Sequence, residues 1–504
     1  MLNFLIVSLF LLSASSLAAA ETYDEKITII DAITRRHSSA SQSFGNDVQN
    51  WIQSIASERR PLVLTESLGL TRGGGVDLST FDLKRIAENN AEDEVSAGGW
   101  VLDNVKISRD QGNVFAIRRP FEEDETGWVL RKNVTEGGLE SSQNVATLTP
   151  DFNNLLFNVD YKDFYESIPY SDKLYWTGDL RSVDSFKNQI WWQDLVILDD
   201  LGLDEYDDEV YFPMLWMSHP GVAAQTHYDK SHNIFVQLYG EKKIKLFPPA
   251  YGRFMHSYPS VHAARKMSQI PFTDEWDPKI TIFPNSTSLK AYEVTLKPGE
   301  MLYIPPYWWH SITTTTGSPA LSLSVVSPSW EEAHLSKAFF APLPLSPFTT
   351  PTQKKMAVQM ILVHVISRVN KMGSPEIFSA FLYNDRWANL YPELEGVRDE
   401  CFSKDEKAAF QIAMGKLQDD EELQMQIQDA ATEIANVLNN DLLNQGVRMA
   451  ALGDYIEQLA VWAVAEEQGE GKPVAQFILN CLAVDNLEIA QKWDGRSTLR
   501  DDEL

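Results

Sequence analysis

Apolar and polar residues alternate in short runs through the central part of the chain, from about residue 151 to 345. Four of these runs are NIFVQLYG, KKIKLFPP, YEVTLKPGEMLYIPP and ALSLSVVS, and their period of two is typical of strands with one face on a core. Gly240 and Glu241 offer a hairpin turn between the first two runs, and Pro298 with Gly299 suits a type II turn. Several hairpins in series predict a double-sheet barrel or jelly roll.

The period changes to three and four residues in the last third of the chain. Three segments show it, KKMAVQMILVHVISRVN, KAAFQIAMGKLQDDEELQMQIQDAATEIANVL and DYIEQLAVWAVAEE, and each predicts a helix with an apolar stripe. We therefore predict an all-α region over residues 346–500, whose stripes form a core or a dimer seam. Residues 21–150 give mixed signals and predict an α/β region flanking the barrel. The fold class expected is α+β.

The first twenty residues predict a secretory signal peptide. They carry no charged side chain, are apolar through Leu12, and end in small residues at Ala18 and Ala20, so cleavage is expected before Glu21. The alternative is an uncleaved membrane anchor, since only the α-amino group supplies positive charge before the apolar run. In both cases the rest of the chain would face the lumen.

The last four residues, DDEL at 501–504, are close to the tetrapeptides that retain proteins in the endoplasmic reticulum. A chance acidic tail is the alternative. Together with the signal peptide, this tail predicts localisation in the endoplasmic reticulum lumen. Asn133 and Asn285 begin glycosylation sequons that a luminal protein can use.

Composition limits the function classes. The chain has 504 residues, 44% of them hydrophobic, and a formal net charge of −28, which disfavours nucleic acid as a partner. After the signal peptide, no segment has the eighteen or so apolar residues needed to span a bilayer. The two cysteines, Cys401 and Cys481, cannot form a thiolate metal cluster; they either pair or serve as small buried residues.

The stretch THYDKSHN, residues 226–233, carries the first sign of chemistry. His227 and Asp229 are two residues apart, so on a strand they project from the same face. His310, which we place at the end of the strand containing EMLYIPPYWWH, supplies a second histidine. Two histidines and one carboxylate form the facial triad that suits ferrous iron, whereas each residue alone is commonly a packed histidine or a turn aspartate.

The segment from HPGVAAQTHYDKSHNIFVQLYGEKKIKLFPP to KPGEMLYIPPYWWHSI resembles the JmjC-domain iron(II)- and 2-oxoglutarate-dependent dioxygenases of the cupin superfamily. It is most similar to their asparaginyl hydroxylase branch, typified by the inhibitor of hypoxia-inducible factor. The resemblance implies a double-stranded β-helix over residues 151–345. It also implies Fe(II), 2-oxoglutarate and O2 as cofactor and cosubstrates, with His227, Asp229 and His310 as catalytic metal ligands.

The resemblance assigns further residues to the cosubstrate. Lys242 matches the lysine that binds the C5 carboxylate of 2-oxoglutarate, Asn233 matches an asparagine near the cosubstrate, and Tyr175 is the candidate for a tyrosine that donates its hydroxyl. Thr226 is also assigned to cosubstrate binding, because it supplies a hydroxyl beside His227. Lys243 and Lys245, on the same predicted strand as Lys242, are expected to be solvated.

Two positions depart from the family pattern. Ala224 stands where the related hydroxylase has a hydroxyl residue, and SVVS, with Val326, stands where it has a second asparagine. Three hypotheses follow. The first is a luminal dioxygenase that hydroxylates a side chain of a secretory-pathway protein and releases succinate and CO2. The second is a catalytically weak or inactive JmjC-like metal-binding module acting as a folding or assembly factor. The third is a cupin that uses another metal without 2-oxoglutarate.

The partner expected under the first hypothesis is a protein substrate in the secretory pathway, with no nucleic acid and no membrane span after signal removal. Family precedent also implies a homodimer through the C-terminal helices. The identity of the substrate and the hydroxylated atom do not follow from the sequence.

Overall fold

The structure is a computed structural model. It describes residues 57–64, 78–84, 173–180, most of 212–272, most of 289–409, 419–464, 468–469 and 471–482, together with the backbone of five strands between residues 101 and 160. The predicted signal peptide, both sequons and the DDEL tail lie outside the described residues. Among the helices described, none is long and apolar enough to cross a membrane.

Sixteen strands are described. In chain order they are β1 Leu62–Leu64, β2 Val101–Ser108, β3 Val114–Phe115, β4 Val129–Arg131, β5 Thr147–Thr149, β6 Leu156–Asp160, β7 Lys173–Asp179, β8 Phe212–Ser218, β9 Ala223–His227, β10 His232–Tyr239, β11 Lys242–Phe247, β12 Tyr292–Leu296, β13 Met301–Ile304, β14 Trp309–Thr314, β15 Ala320–Ser327 and β16 Gln468–Gly469.

Eight of these strands, β8 to β15, form the predicted jelly roll. One sheet has the order β1-β13-β10-β15-β8-β7-β2-β6 and the other has the order β12-β11-β14-β9-β3. Successive barrel strands alternate between the two sheets except at β11 and β12, and all pairings among them are antiparallel. β2 and β3, which precede residue 150, extend the two sheets directly. A third sheet contains β16, β4 and β5.

The predicted turns have the backbone that they require. Gly240 and Gly299 adopt positive φ angles of 65° and 93°, a conformation that glycine adopts without a steric penalty. In β11, Lys242 and Ile244 are buried while Lys243 and Lys245 are half-buried. Lys242 therefore faces the barrel interior, as its assignment to the cosubstrate requires.

The helices are α1 Trp330–Phe339, α2 Pro351–Arg368, α3 Pro375–Tyr383, α4 Glu421–Leu438, α5 Gln445–Val464 and α6 Lys472–Cys481, with 3-10 turns at Leu78–Phe81, Pro249–Met255 and Pro392–Leu394. Residues of α1 to α6 form one hydrophobic cluster, and Tyr228, Tyr307 and Trp309 of the barrel belong to it. A second cluster, which includes Phe235 and Ile244, fills the barrel interior. The helical region is therefore packed on the outside of the barrel.

Two details differ from the sequence-based expectations. The long predicted helix that spans residues 407–438 is interrupted, because Asp420 caps a new helix, α4, by accepting a hydrogen bond from the backbone N–H of Leu423. The strand expected to contain EMLYIPPYWWH is two strands, β13 and β14, so that His310 lies near the start of β14 rather than at a strand end. Two consecutive prolines cannot donate ladder hydrogen bonds, and Tyr307 reverses the chain with a φ of 62°.

The two cysteines form a disulfide. Cys401 and Cys481 are joined across 80 residues of sequence, which connects the segment after α3 to the end of α6. Pairing was one of the two alternatives for these residues.

Candidate functional site

His227 and His310 lie side by side on neighbouring strands. They are Cα partners in the antiparallel pairing of β9 with β14, and their ring centroids are 4.3 Å apart. The register shifts between His310 and Ile312, so that Ala224 pairs with Ile312. This irregularity turns the last residue of β9 toward the barrel interior beside His310.

Backbone carbonyls fix the orientation of both imidazoles. Nδ1 of His227 lies 2.7 Å from the carbonyl oxygen of Gln225, and Nδ1 of His310 lies 3.0 Å from that of Trp308. A carbonyl only accepts, so Nδ1 carries the proton in each ring and Nε2 keeps its lone pair. Second-shell bonds of this type are what orient metal-binding histidines.

Asp229 completes the group just beyond the end of β9. Its Oδ2 lies 3.8 Å from Nε2 of His310, and the three residues offer ligand atoms that all lie within 4.8 Å of one another. The backbone carbonyl of Asp229 accepts a hydrogen bond of 2.7 Å from the N–H of Tyr307. The reversed turn before β14 therefore holds the acid opposite the second histidine.

The electrostatics favour a neutral His310 and an ionised Asp229. Burial, with a smaller effect of His227, lowers the pKa of His310 to about 4 although Asp229 opposes this. Burial alone would raise the pKa of Asp229, but the neighbouring His227 and His310 hold it below its usual value. Two neutral imidazoles and one carboxylate are the protonation states that a divalent metal requires.

Asn233 belongs to a hydrogen-bonded chain that ends at Asp229. The hydroxyl of Ser324 donates to Oδ1 of Asn233 over 2.7 Å, which leaves the amide N–H groups of Asn233 as donors to the Asp229 carboxylate. Ser324 is the first residue of SVVS, the stretch in which the sequence lacks the expected asparagine. Its role was missed because a serine on a strand carries no motif.

Lys242 is buried in the barrel with its ammonium inside. It is 2% exposed, Nζ donates to the carbonyl of Trp216 over 3.0 Å, and Nζ lies 5.6 Å from the ring centroid of Phe235. Among the described residues no carboxylate pairs with it. Burial lowers its pKa to about 7, because desolvation disfavours the charged ammonium.

Tyr175 contacts a residue that also binds Lys242. It is buried on β7 and stacks on Trp216 with 5.8 Å between ring centroids, and Trp216 is the residue whose carbonyl binds Lys242. Burial raises the pKa of Tyr175, so the phenol stays protonated and able to donate.

The structure also describes Thr226 and the two positions that depart from the family pattern, Ala224 and Val326. Thr226 precedes His227 on β9, so its side chain projects from the opposite face of the strand, and its buried hydroxyl has no hydrogen-bond partner among the described residues. Ala224 lies opposite Ile312. Val326 lies opposite Asn233. Both departures thus place apolar side chains on the faces that carry His310 and Asn233.

Similarity to known proteins is concentrated in this part of the chain. Residues 103–330 match the family described as Cupin-like domain. The lysine-specific demethylase JMJ30 of Arabidopsis thaliana is 35% identical over 107 residues, 21% of this chain and 24% of that protein. Jumonji C domain-containing protein 5 of Drosophila melanogaster is 32% identical over 109 residues, 22% and 26% of the two chains.

Other relatives have different names. The tRNA wybutosine-synthesizing protein 5 of Homo sapiens is 27% identical over 108 residues, which is 21% of this chain and 32% of that protein. The X-ray structure of E. coli ycfD aligns with a TM-score of 0.27 at 14% identity over 56% of this chain and 53% of that one. The chain spans less than a third of the length of each of the three sequence relatives.

Proposed function

Because residues 103–330 form a cupin-like domain of the JmjC cupin superfamily, we propose that this protein is an iron(II)- and 2-oxoglutarate-dependent dioxygenase that hydroxylates a side chain of a secretory-pathway protein. The superfamily implies use of iron and 2-oxoglutarate. The observation that carries the proposal is that one barrel contains both the His227, Asp229 and His310 group and the buried ammonium of Lys242.

The three residues fit iron(II). Nε2 of each histidine and the Asp229 carboxylate face one another, and three such ligands leave positions open for a chelating cosubstrate and dioxygen. When bound, the metal supplies the oxidising chemistry that couples decarboxylation of 2-oxoglutarate to hydroxylation of a substrate carbon. The chain contributes orientation: carbonyls fix the imidazoles, and the Ser324 to Asn233 chain fixes the carboxylate.

Lys242 fits one carboxylate of 2-oxoglutarate. Its ammonium has one carbonyl acceptor and two further N–H groups to donate. A bound carboxylate would raise the depressed pKa of Lys242 and keep the ammonium charged, as burial alone does not. Tyr175 is the assigned hydroxyl that contacts the same residue as Lys242, because it stacks on Trp216.

The sequence supports the choice of substrate class. Relatives are named as a lysine-specific demethylase and a tRNA wybutosine-synthesizing protein, but a signal peptide and a DDEL tail would keep this chain away from chromatin and tRNA. The net charge of −28 also disfavours RNA. A luminal protein side chain is therefore the substrate class that we favour.

The proposal is tested by succinate production. The full-length protein without its signal peptide is loaded with iron(II) under nitrogen, mixed with 2-oxoglutarate, and exposed to oxygen. We expect succinate that requires iron and is abolished by His310→Ala, while Lys243→Ala, an outward neighbour of Lys242, retains it.

Ala224 and Val326 favour a second candidate function, a metal-binding module without turnover. Iron binding by the wild-type protein with no succinate under any condition would contradict the dioxygenase and favour this module. Binding of iron that does not depend on His310 would contradict both.

A further inference from the structure

The segments that carry the three metal ligands are anchored in the helical region rather than in the barrel alone. Tyr228 stands between His227 and Asp229, Trp309 precedes His310, and both belong to the hydrophobic cluster of α1 to α6. We propose that the C-terminal helical region positions the metal ligands, with Tyr228 and the Asp454 carboxylate as positioning residues. The inference rests on the proposed function, because it assumes that the triad binds a metal.

Three aromatic rings form the first anchor. Tyr228 stacks on Tyr307 with centroids 5.2 Å apart and meets Trp309 edge-on with centroids 4.8 Å apart. All three are buried. Because neighbouring residues of an extended chain point in opposite directions, a ring fixed outside the barrel fixes the imidazole next to it inside.

Buried charges form the second anchor, on the same side as Tyr228. Arg386 is 1% exposed and binds both oxygens of Glu457, each over 2.7 Å, and Oδ1 of Asp454 over 2.9 Å. Burial would lower the pKa of Arg386, but Glu457 and Asp454 raise it above its ordinary value. The three residues therefore form a charged, hydrogen-bonded cluster.

This charged cluster contacts the segment that carries Asp229 directly. Nζ of Lys230, the residue after Asp229, is 3.0 Å from Oδ2 of Asp454. Asp454 is thus shared between Arg386 and the turn that carries Asp229.

The loop after the 3-10 turn Pro249–Met255 is bound to the same charges. Nη1 of Arg386 donates to the hydroxyl of Ser257 over 3.0 Å, and the N–H of Ser260 donates to Oε2 of Glu457 over 2.6 Å. Further along this loop, the carbonyl of Lys266 accepts from the N–H of Tyr228, and that of Thr226 from the N–H of Ser268. The strand end at His227 is therefore held from both sides by elements that contact α5.

A metal site gains affinity when its ligands are held in place before the metal arrives, and outer partners of this kind are worth roughly ten- to a hundredfold in affinity. Tyr228 and Lys230 flank Asp229, and Trp309 precedes His310. The contacts of these three residues therefore restrain the two short segments that carry the metal ligands. Disturbing an anchor is therefore expected to lower metal affinity without removing a ligand.

The test uses the full-length mature protein and cobalt(II), an oxygen-stable substitute for iron(II), titrated by calorimetry well below the unfolding temperature. The variants are Tyr228→Leu, Tyr228→Phe and Asp454→Asn. Ile427→Ala is the control, because Ile427 is buried in α4 but is a member neither of the aromatic group nor of the charged cluster. Thermal unfolding is recorded for every variant.

We expect Tyr228→Leu and Asp454→Asn to weaken cobalt binding about tenfold, Tyr228→Phe to restore most of the loss, and Ile427→Ala to lower the unfolding temperature with unchanged affinity. Should either positioning variant fail to fold, Arg386→Lys, which keeps the charge but loses the planar fork, replaces it. Unchanged affinity in the folded positioning variants, or an equal loss in Ile427→Ala, would overturn the inference alone. Failure of the wild-type protein to bind cobalt would overturn the proposed function, and the inference with it.

Discussion

At the scale of single residues, Lys242 has the clearest functional signature. A lysine is rarely buried without a carboxylate partner, because desolvation of the ammonium is costly, yet this one has only a carbonyl acceptor among the described residues. We propose that a carboxylate of 2-oxoglutarate offsets this cost when it binds. The residue was assigned from the sequence by resemblance, and its burial supports the same role by a separate physical argument.

Lys242→Met is expected to weaken 2-oxoglutarate binding and to stabilise the unliganded protein. The folded-state pKa of Lys242 is about 7 against an ordinary value of 10.5. Between these values the unfolded chain binds a proton that the folded chain does not, so this lysine makes stability rise with pH across that window; below about pH 7 the full cost of burying the charge remains. The variant should therefore be more stable than the wild type near about pH 6 and should lack this rise.

Urea unfolding at several pH values, with calorimetry for 2-oxoglutarate, measures both effects. Affinity should fall about a hundredfold in the variant. Lys243→Met is the matched control, because Lys243 is partly exposed and paired with Glu293 at 3.0 Å. A variant that is less stable than the wild type at every pH would argue that Lys242 is a structural residue.

Sequence reasoning assigned the ligands His227, Asp229 and His310 because their spacing and strand context are distinctive, and the structure brings the three together. It missed Ser324 and Tyr307. A hydroxyl that bonds an amide across two strands has no local pattern, and the left-handed backbone of Tyr307 is imposed by tertiary packing against Tyr228 rather than by residue preference.

At the scale of elements, α5 and the 3-10 turn Pro249–Met255 approach so closely that a side chain would not fit between them. A Cβ on Gly446, in the first turn of α5, would lie 1.8 Å from the carbonyl oxygen of Pro249. Only glycine permits this contact, which places α5 and its acidic residues against the loop that holds β9. The close approach thus connects a helix of the C-terminal region to the segment that carries His227 and Asp229.

Gly446→Ala is expected to destabilise the protein by about 2 kcal/mol, because the two backbones must separate. The measurement is denaturant unfolding. Gly252→Ala is the control on the opposite side of the contact, where a Cβ would sit 3.7 Å from the carbonyl oxygen of Gly446, an ordinary contact. Equal effects of the two substitutions would contradict this explanation.

The disulfide between Cys401 and Cys481 connects the segment after α3 to the end of α6. Removing it in a Cys401→Ala/Cys481→Ala variant should cost roughly 2–4 kcal/mol, because the bond closes a long loop and restricts the unfolded chain. The loop spans 80 residues. Denaturant curves of the wild type with and without reductant give the same comparison, and identical curves would show that the bond contributes no stability.

The strands were predictable because alternation survives wherever one face of a strand is buried, as in β11. The boundary between β13 and β14 was not predictable, because two prolines interrupt an otherwise apolar run without changing the period of its apolar residues. The start of α4 was missed for a related reason: Asp419 and Asp420 are polar residues that a helix surface also accommodates, and only the hydrogen bond to Leu423 identifies the cap.

At the scale of the whole molecule, the barrel and the helical region form one functional unit. The barrel contains the ligands, and the helices bind the residues beside them through an aromatic group and a charged cluster. The sequence predicted both regions and their order. It could not predict that they cooperate at the metal site, because the partners Lys230 and Asp454 are separated by most of the helical region and match no motif.

Localisation is a prediction for the whole chain. A version lacking residues 501–504 is expected to appear in the culture medium of secreting cells, whereas the full-length chain is retained, because the receptor that returns such proteins binds the terminal tetrapeptide. Immunoblots of cells and medium measure this. Retention of both forms, or secretion of both, would contradict the predicted retrieval signal.

The central proposal is that one barrel binds iron through His227, Asp229 and His310 and binds 2-oxoglutarate through Lys242. The direct measurement is anaerobic calorimetry of 2-oxoglutarate binding to the wild-type protein, with and without iron(II), and to Lys242→Met with iron(II). We expect binding that is strong with iron, weak without it, and about a hundredfold weaker in Lys242→Met while iron still binds. Equal affinity with and without iron, or unaltered affinity in the variant, would contradict the proposal.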